Sequence, residues 1–592
     1  MEILMIPRDC MTRLRLLIGT FAVSGIALAA AAAVAQESPD TIETFGDQVS
    51  VDVVNLEVWV ADRQGEPVAG LTADDFELRA DGEPVEIRYF AAIGGPQSED
   101  AGPALAQEPA ASSEDELLRV VVYVDDWNLR PEDRARVLAD LRGFLDRELR
   151  SGEDVMVVRH DGTTISIVQE LTTDREALAR SLDQVERRAT PGIALESEHR
   201  QARREIERAY RAVEEASEAA PILNIEPCVY GWPDMESAFR TYAAAVAGHA
   251  QVSASALATV IQPLGGLPGT KVVLYVGNGL PDQPAADLVE YLRQLCPHRQ
   301  TEINFFISSY DLNSVYDQVI DRANANRVTL YMIEAEPPVR SPDGEPTDPR
   351  FRLSSQAVSL REGSLESGLT RLADETGGRA ILDAADFTPA LDGIGRDLRH
   401  YYSLGFTPAV AGDTEKHRLE VRVEGRSGYR VRYRNSYRGK PFEARMIERV
   451  RAVAGLAREQ NPLGARIEVG EGFAGTAGRM NVPIRIWTPL DRLVLLPTAE
   501  GTEGKLRLMM AVTEEAGATG PVRQTIVPVQ VGAAREGETE GPPREKLVEV
   551  SLALPPGHHQ VAIGLRDELG GEASFLRHDV DVAAVTPAAA PP

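Results

Sequence analysis

At 592 residues the chain is too long for one hydrophobic core, and a hydrophobic content of 43% with a mean hydropathy of −0.21 suits folded, soluble protein in several domains. A formal net charge of −29 argues against nucleic acid as a partner, because a polyanion needs a basic surface.

The N-terminus carries an address. Arg13 and Arg15 open an apolar run, Leu14 to Ala33, that ends in Ala33-Val34-Ala35 before Gln36. A basic start, an apolar centre and a small-residue site make residues 1–35 a secretory signal peptide, so the expected location is periplasmic or extracellular. Cys10 precedes the apolar run, which argues against a lipid anchor, and no later stretch reads as apolar enough to span a bilayer. The mature chain keeps Cys228 and Cys296. They lack the short-spaced partners of a zinc site, and in an oxidising compartment a disulfide is expected.

Residues 47–90 alternate apolar and polar side chains, with turn signals at Asp62-Arg63-Gln64-Gly65 and at Asp81-Gly82, between Phe76-Glu77-Leu78 and Val85-Glu86-Ile87. This reads as one half of a β-domain, and residues 91–116, rich in Pro, Ala, Ser and Glu, as a linker. Val120 to Val124 is an unbroken apolar run ending at Asp125-Asp126, a strand buried on both faces. Val137, Leu138, Leu141, Phe144 and Leu145 then recur at helical spacing behind Pro131. Strands are expected at Asp154–Val158, antiparallel to Thr163–Gln169, and at Lys271–Val276, Val328–Ile333 and Arg379–Leu382. Helices are expected after a capping box at Thr173-Asp174-Arg175-Glu176, at Glu196–Ala219 (solvated), Ala243–Ile261, Gly368–Glu375 and Phe387–Arg399. Residues 117–400 therefore read as an α/β domain with a doubly wound sheet and one antiparallel edge, carrying insertions near 192–235 and 282–312. Its ligand site belongs at the carboxyl edge of the strands.

Residues 401–438 return to β alternation, 441–461 read as a connecting helix, 465–583 as a β-sandwich of the Ig or FnIII kind, and 584–592 as a disordered tail. Residues 47–90 and 401–438 each hold too few strands to bury an apolar face alone. They are expected to pair into one discontinuous β-domain.

VWVADRQGEPVAGLTADDFELRADGEPVEIRYF, VVVYVDDWNLRPEDRARVLADLRGFL, VQELTTDREAL, LTRLADETGGRAIL and DLRHYYSLGFTP resemble, in that order, stretches of the bacterial exported "VWFA-related" proteins, a branch of the von Willebrand factor A (VWA) fold. The resemblance implies a Rossmann-like VWA domain and protein binding or scaffolding, with no established reaction. Integrin β-subunits resemble the same layout, an A-type domain inserted in a β-sandwich.

VWA domains hold Mg²⁺ at a metal-ion-dependent adhesion site built from D-x-S-x-S, a loop Thr and an Asp after the fourth strand. Here Asp125 matches the first ligand, Trp127 and Leu129 stand at the two Ser positions, Thr190 matches the Thr, and Asn278 replaces the last Asp. Mg²⁺ needs hard oxygen ligands in octahedral array, and Trp offers none. Asp126 and Asn128 have suitable atoms, but adjacent residues leave the strand in different directions. The candidate ligand-binding set is therefore Asp125, Asp126, Trp127, Asn128, Thr190 and Asn278. No cofactor is expected, and Asp125, Thr190 and Asn278 are what remains for Mg²⁺. Without metal, Asp125 and Asp126 are expected to cap the following helix and bond loop amides, while Trp127 fills the crevice mouth, where exposure would make it a contact anchor. The expected function is a binding or scaffold module for a protein ligand. A metal-dependent adhesin with rearranged ligands and a hydrolase using Asp125 and Asp126 are the alternatives. His160-Asp161 reads as a turn, Gly377-Gly378 as a helix C-cap, and His558-His559 as a surface turn.

Overall fold

Leu56, Val58 and Val60 face one way along strand β1 (Val54–Ala61), and Trp59 faces the other. The computed structural model describes residues 53–94, 117–127, 129–150, 152–190, 194–223, 225–307, 309–310, 312–336, 348–410, 412–424, 428–456, 459–476, 478–498, 501–514, 519–532 and 545–583. The expected signal peptide, Asn128, the disordered tail and all but the first residues of the expected linker lie outside them. Strands β2 (Phe76–Ala80) and β3 (Glu83–Pro84) meet through Asp81-Gly82, both at positive φ, as a two-residue hairpin turn requires. The return strand lies at 83–84 rather than at 85–87. Strand β4 (Tyr89–Ile93) carries β structure past residue 90, where a linker was expected, because Ala91 to Ile93 find a pairing partner late in the chain.

The α/β domain follows as β5 (Leu118–Asp125), α1 (Pro131–Glu148), β6 (Asp154–His160), β7 (Ile165–Thr172), α2 (Arg175–Arg187), α3 (Ala194–Ala219), α4 (Pro227–Tyr230) and α5 (Trp232–Leu264). Then come β8 (Thr270–Gly277), α6 (Ala286–Leu295), α7 (Gln300–Ile307), α8 (Asn313–Ala325), β9 (Val328–Glu334), α9 (Ser355–Glu375), β10 (Ala380–Ile381) and α10 (Thr388–Arg399). Its six strands run in the order β10-β9-β8-β5-β6-β7, parallel except for β7, which is antiparallel to β6. Relabelled within the domain this is 6-5-4-1-2-3, a doubly wound order that reverses between β5 and β8. Every residue of β5 is buried. Val121 and Tyr123 pack against α5, α8 and α9, whereas Val120, Val122 and Val124 pack against α1, α2 and α10.

Several helices depart from the periodicity reading. Asp174, not Thr173, caps α2, its Oδ1 accepting from the amides of Glu176 and Ala177. The α3 helix is not wholly solvated, since His199, Ala202 and Ile206 are buried. Gly363 and Gly368 lie within α9, which starts at Ser355 with Ser354 as its cap; Gly368 is buried against the Leu280 backbone, a close approach that offsets its weak helix propensity, whereas Gly363 is exposed. Helix α5 is about 50 Å long. Contrary to the sequence reading, it is long and apolar enough to cross a membrane by length and composition. Its apolar positions serve two cores: Leu257 and Ile261 lie under the sheet, and Trp232, Met235 and Phe239 join α3, α6 and α7 in a helical cap. A disulfide between Cys228 and Cys296, with Cα atoms 5.5 Å apart, ties α4 to the end of α6 within that cap.

Strands β11 (Tyr401–Phe406), β12 (Lys416–Val423), β13 (Arg430–Tyr433) and β14 (Ser436–Arg438) then pair with the N-terminal ones. One sheet runs β13-β1-β11-β4 and the other β14-β12-β2-β3, burying Leu56, Val58, Leu78, Leu404, Phe406, Leu419 and Val421 between them. Helix α11 (Phe442–Leu456) connects onward to β15 (Arg466–Val469), β16 (Phe473–Ala474), β17 (Met480–Pro489), β18 (Leu496–Thr498), β19 (Gly501–Glu514), β20 (Arg523–Gly532), β21 (Glu545–Leu554), β22 (Gly557–Asp567) and β23 (Ala573–Val582). These form two facing sheets, β15 and β21 with β16 around β17, and β18, β20 and β22-β23 around β19. Ile484, Ile486, Leu508 and Ile563 lie between them. His559, expected at the surface, is buried, because it opens β22 rather than the turn.

Strand β1 separates β11 from β13 and so completes its sheet. Val58→Asp would put an unpaired charge into that core. Hydrogen exchange should then accelerate across Tyr401–Phe406 and Arg430–Tyr433 while β19 and β22 stay protected. Unchanged exchange at those strands would mean that the two β segments are energetically separate.

Candidate functional site

The parallel register sets Asp125, at the end of β5, opposite His160 at the end of β6, with Gly277 of β8 on its other side. Asn278 follows one residue on. Asp125, Trp127, Thr190 and Asn278 thus lie at the carboxyl edge where the strand order reverses. Their interactions are mostly with the protein itself.

Asp125 is fully buried, with Oδ1 3.2 Å from Nδ1 of His160 and Oδ2 accepting the Tyr275 hydroxyl at 2.8 Å. Burial, and next the charge of Asp125, push the Tyr275 phenol well above its usual range, so it stays a donor. Asp126 is also fully buried and lies between two guanidinium groups. Arg134 Nη1 donates to both its oxygens at 2.6 and 2.8 Å, and Arg159 Nε donates to Oδ2 at 2.6 Å. The same arginines hold the loop after α2: Arg134 Nη2 reaches the carbonyls of Glu186 and Arg188, and Arg159 Nη2 that of Ala189. Thr190, next along, sets its hydroxyl 2.6 and 2.8 Å from the carbonyl oxygens of Asp126 and Leu129.

Neither aspartate caps α1, whose N-cap position is Arg130 without a side-chain bond. This corrects the expected helix-capping role. Trp127 is half-buried, not exposed. Its ring stacks on His249, centroids 3.3 Å apart, and lies against Gly162, where a Cβ would come within 2.4 Å of the indole. Burial, opposed by the charge of Asp125, lowers the His249 pKa to about 4, so the partner of Trp127 is a neutral imidazole at pH 7.

This arrangement does not fit Mg²⁺. Both oxygens of Asp125 are engaged, the Thr190 hydroxyl is turned to carbonyls, and two guanidinium groups surround Asp126 where a dication would be repelled.

Beyond Asn278 lies a cavity of about 100 Å³, lined among others by Arg130, His249, Asn278, Asp287, Glu336 and Arg361. Oδ1 of Asn278 is buried without a hydrogen-bond partner among the described residues. Asp287, in the first turn of α6, lies 2.5 Å from Nε2 of His199. Burial opposes its ionisation, but His199 and Arg361 outweigh that and hold its carboxyl below the usual range. The cleft is therefore small, polar and of both signs.

Sequence reasoning missed His160, Tyr275, Arg134, Arg159 and His249. One signal was available: Arg134 lies three, four and seven residues before Val137, Leu138 and Leu141, on the buried face of α1. A charge on that stripe requires a buried counter-charge. A carboxylate trio at the same sheet edge, Glu334, Glu366 and Asp383, was also missed; its oxygens lie within 4.8 Å of one another. Burial, then repulsion from Glu366, pushes Glu334 up to about 7.

No protein-family model and no curated protein matches the chain. Among solved structures, an aerotolerance-related membrane protein from Bacteroides fragilis NCTC 9343 with multiple mutations to serines aligns at 8% identity over 48% of this chain and 98% of that one, with a TM-score of 0.21. Manganese-loaded Plasmodium vivax TRAP protein aligns at 11% identity over 55% of this chain and 96% of its own, TM-score 0.20. Bacteroides uniformis β-glucuronidase aligns at 10% identity over 33% and 20%, TM-score 0.14. Superpositions this loose carry no argument, and the description of the α/β fold rests on its own sheet order.

Two outcomes follow. Asp126→Ala would leave the buried Arg134 guanidinium without a counter-charge and Arg159 with Asp161 alone, and should cost about 3–5 kcal/mol in denaturant unfolding. Pairing it with Arg134→Met and Arg159→Met should recover much of that loss. Glu334, ionising near 4.5 when unfolded and about 7 when folded, keeps a native proton that the unfolded chain releases between those values. Stability from this group therefore falls as pH rises through that window. Glu334→Gln should raise the melting temperature above pH 7, by up to about 3 kcal/mol in free energy, with the gain gone below pH ~4.5.

Proposed function

We propose that the chain is an exported, VWA-like binding or scaffold module that receives a side chain of a protein ligand at the carboxyl-edge cleft, without a bridging metal. The observation that carries this reading is the buried Asp126 held by Arg134 and Arg159. It fixes the loop that would otherwise offer metal ligands, and of the candidate residues Asn278 alone lines the polar cleft at the switch point of the sheet, where open α/β folds bind ligands. The cleft, at about 100 Å³, is of side-chain size. The buried Asn278 oxygen is an acceptor available to a donor group from the ligand.

A hydrolytic role for Asp125 and Asp126 finds no support in their environment: both carboxylates are fully buried and their oxygens are occupied. The signal-like N-terminus and the Cys228–Cys296 disulfide support export to a periplasmic or extracellular location.

Photo-crosslinking from Gln283, at the cleft, in the native cell envelope should capture a defined protein. The yield should be unchanged by chelator and at least tenfold lower when Leu365, another lining residue, is changed to Arg. Loss of capture on chelation would instead favour a metal-dependent adhesin. Calorimetric titration with Mg²⁺ should show no saturable heat.

A further inference from the structure

The C-terminal sandwich does not close along one side. Strand β21 pairs with β17 and β20 with β19, and each is an outermost strand of its sheet among the described residues. Between them lies a cavity of about 640 Å³. Its walls include Leu508, Met510, Leu552 and Leu554, three of them nearly or fully buried. The volume falls in the range of small-molecule sites, ~300–1,000 Å³, and an aliphatic wall is their usual lining.

The charged lining groups gather at one end, while Thr525, opposite Leu508, lies further along the wall. Register sets Arg523 opposite Met510, Arg479 beside Met480, which faces Leu554, and His559 opposite Glu514. The aliphatic wall continues from there to Leu508, six residues back along β19 from Glu514, or roughly 20 Å of strand. Arg479 donates to the carbonyl of Ala553, and neither it nor Arg523 forms an ion pair with a carboxylate among the described residues. Glu514 lines the same end without pairing to either. In a chain of net charge −29, two cations that have no counter-ion among the described residues, at the mouth of an apolar cavity, complement an anion.

His559 supplies an independent observation. It is 3% exposed, and its Nε2 lies 2.7 Å from the carbonyl oxygen of Pro555, which requires the proton on Nε2. Nδ1 is then a lone-pair acceptor, and it is buried with no hydrogen-bond partner among the described residues. A buried acceptor left unmet costs free energy, and a carboxylic acid recovers it by bringing its proton into the contact, O–H to Nδ1, so that binding of the carboxylate from solution takes up one proton.

We propose that this cavity is a binding site for a single-chain aliphatic carboxylic acid. The hydrocarbon chain lies between β19 and β21 against Leu508 and Leu552. The acid head group lies at the arginine end beside His559. The site is separate from the carboxyl-edge cleft and does not depend on how that cleft is used.

The test is calorimetric titration of the purified, delipidated full chain with sodium dodecanoate. Saturable one-to-one binding is expected, at least tenfold tighter than that of methyl dodecanoate, which keeps the chain and lacks the charge. The double variant Arg479→Gln/Arg523→Gln, both exposed positions, should weaken dodecanoate at least tenfold with an unchanged melting curve. Met510→Trp should fill the cavity and abolish binding. Absence of saturable binding to the unaltered chain, equal affinity for the ester, or undiminished binding by the arginine variant would overturn the proposal. So would tight binding of an extended peptide copying Lys546–Leu554 that dodecanoate fails to displace, since the open side would then be a strand-addition site.

Discussion

The carboxyl edge of the sheet depends on one buried carboxylate. Asp126 has left water entirely, and a charge there is tolerable when the surrounding donors replace its hydration. Arg134 comes from the first turn of α1 and Arg159 from β6, and both also bind carbonyls of the chain after α2. Three segments distant in sequence are thereby fixed by a single anion. The position of Thr190 is a consequence, since its neighbours on the N-terminal side are held by these same guanidinium groups. Asp125, one residue earlier, is settled in a different manner, by a phenol and an imidazole from the two flanking strands. Adjacent aspartates thus have unrelated partners because successive side chains of a strand point to opposite faces.

Much of the α/β layer was legible in the chain because its signals are local. The run Val120–Val124 is apolar on both faces, and the spacing of Val137, Leu138 and Leu141 is helical, so strand and helix follow from periodicity alone. Asp161-Gly162 announces the reversal from β6 to β7, with Asp161 Oδ1 accepting from the amides of Thr163 and Thr164. Periodicity fails where a helix serves two environments. The N-terminal half of α5 packs in the cap and its C-terminal half under the sheet, so no single apolar stripe runs its length, and its start at Trp232 was not evident. At the site, the loop positions could be matched by order, whereas their partners could not. Nothing adjacent to Asp126 in sequence shows that Arg159, 33 residues away, will reach it.

The helical cap adds a second level of order. Its core joins Ile206, Trp232, Phe239, Leu292 and Phe306, and the disulfide closes it beside that core. Asp287 begins α6 with His199 of α3 as its partner, so the cleft wall is fixed by the cap as well as by the sheet. A wall held by a covalent link and a buried carboxylate–imidazole hydrogen bond presents its polar groups in one arrangement, which lowers the ordering cost of receiving a ligand.

The pairing of β1 has a consequence for the order in which the molecule is made. Trp59 donates its indole N–H to the carbonyl of Asp397, 338 residues later. At ~5–20 residues per second, the first strand leaves the ribosome roughly 17 to 70 s before the strands that flank it. During that interval Leu56, Val58 and Val60 have no sheet to join, while the whole α/β layer, whose contacts are more local, can form between them and their partners. The β-domain cannot be completed before Tyr433 has emerged, and until its late partners appear the nascent chain carries an unpaired apolar strand. Such a strand is a target for chaperones and for premature association.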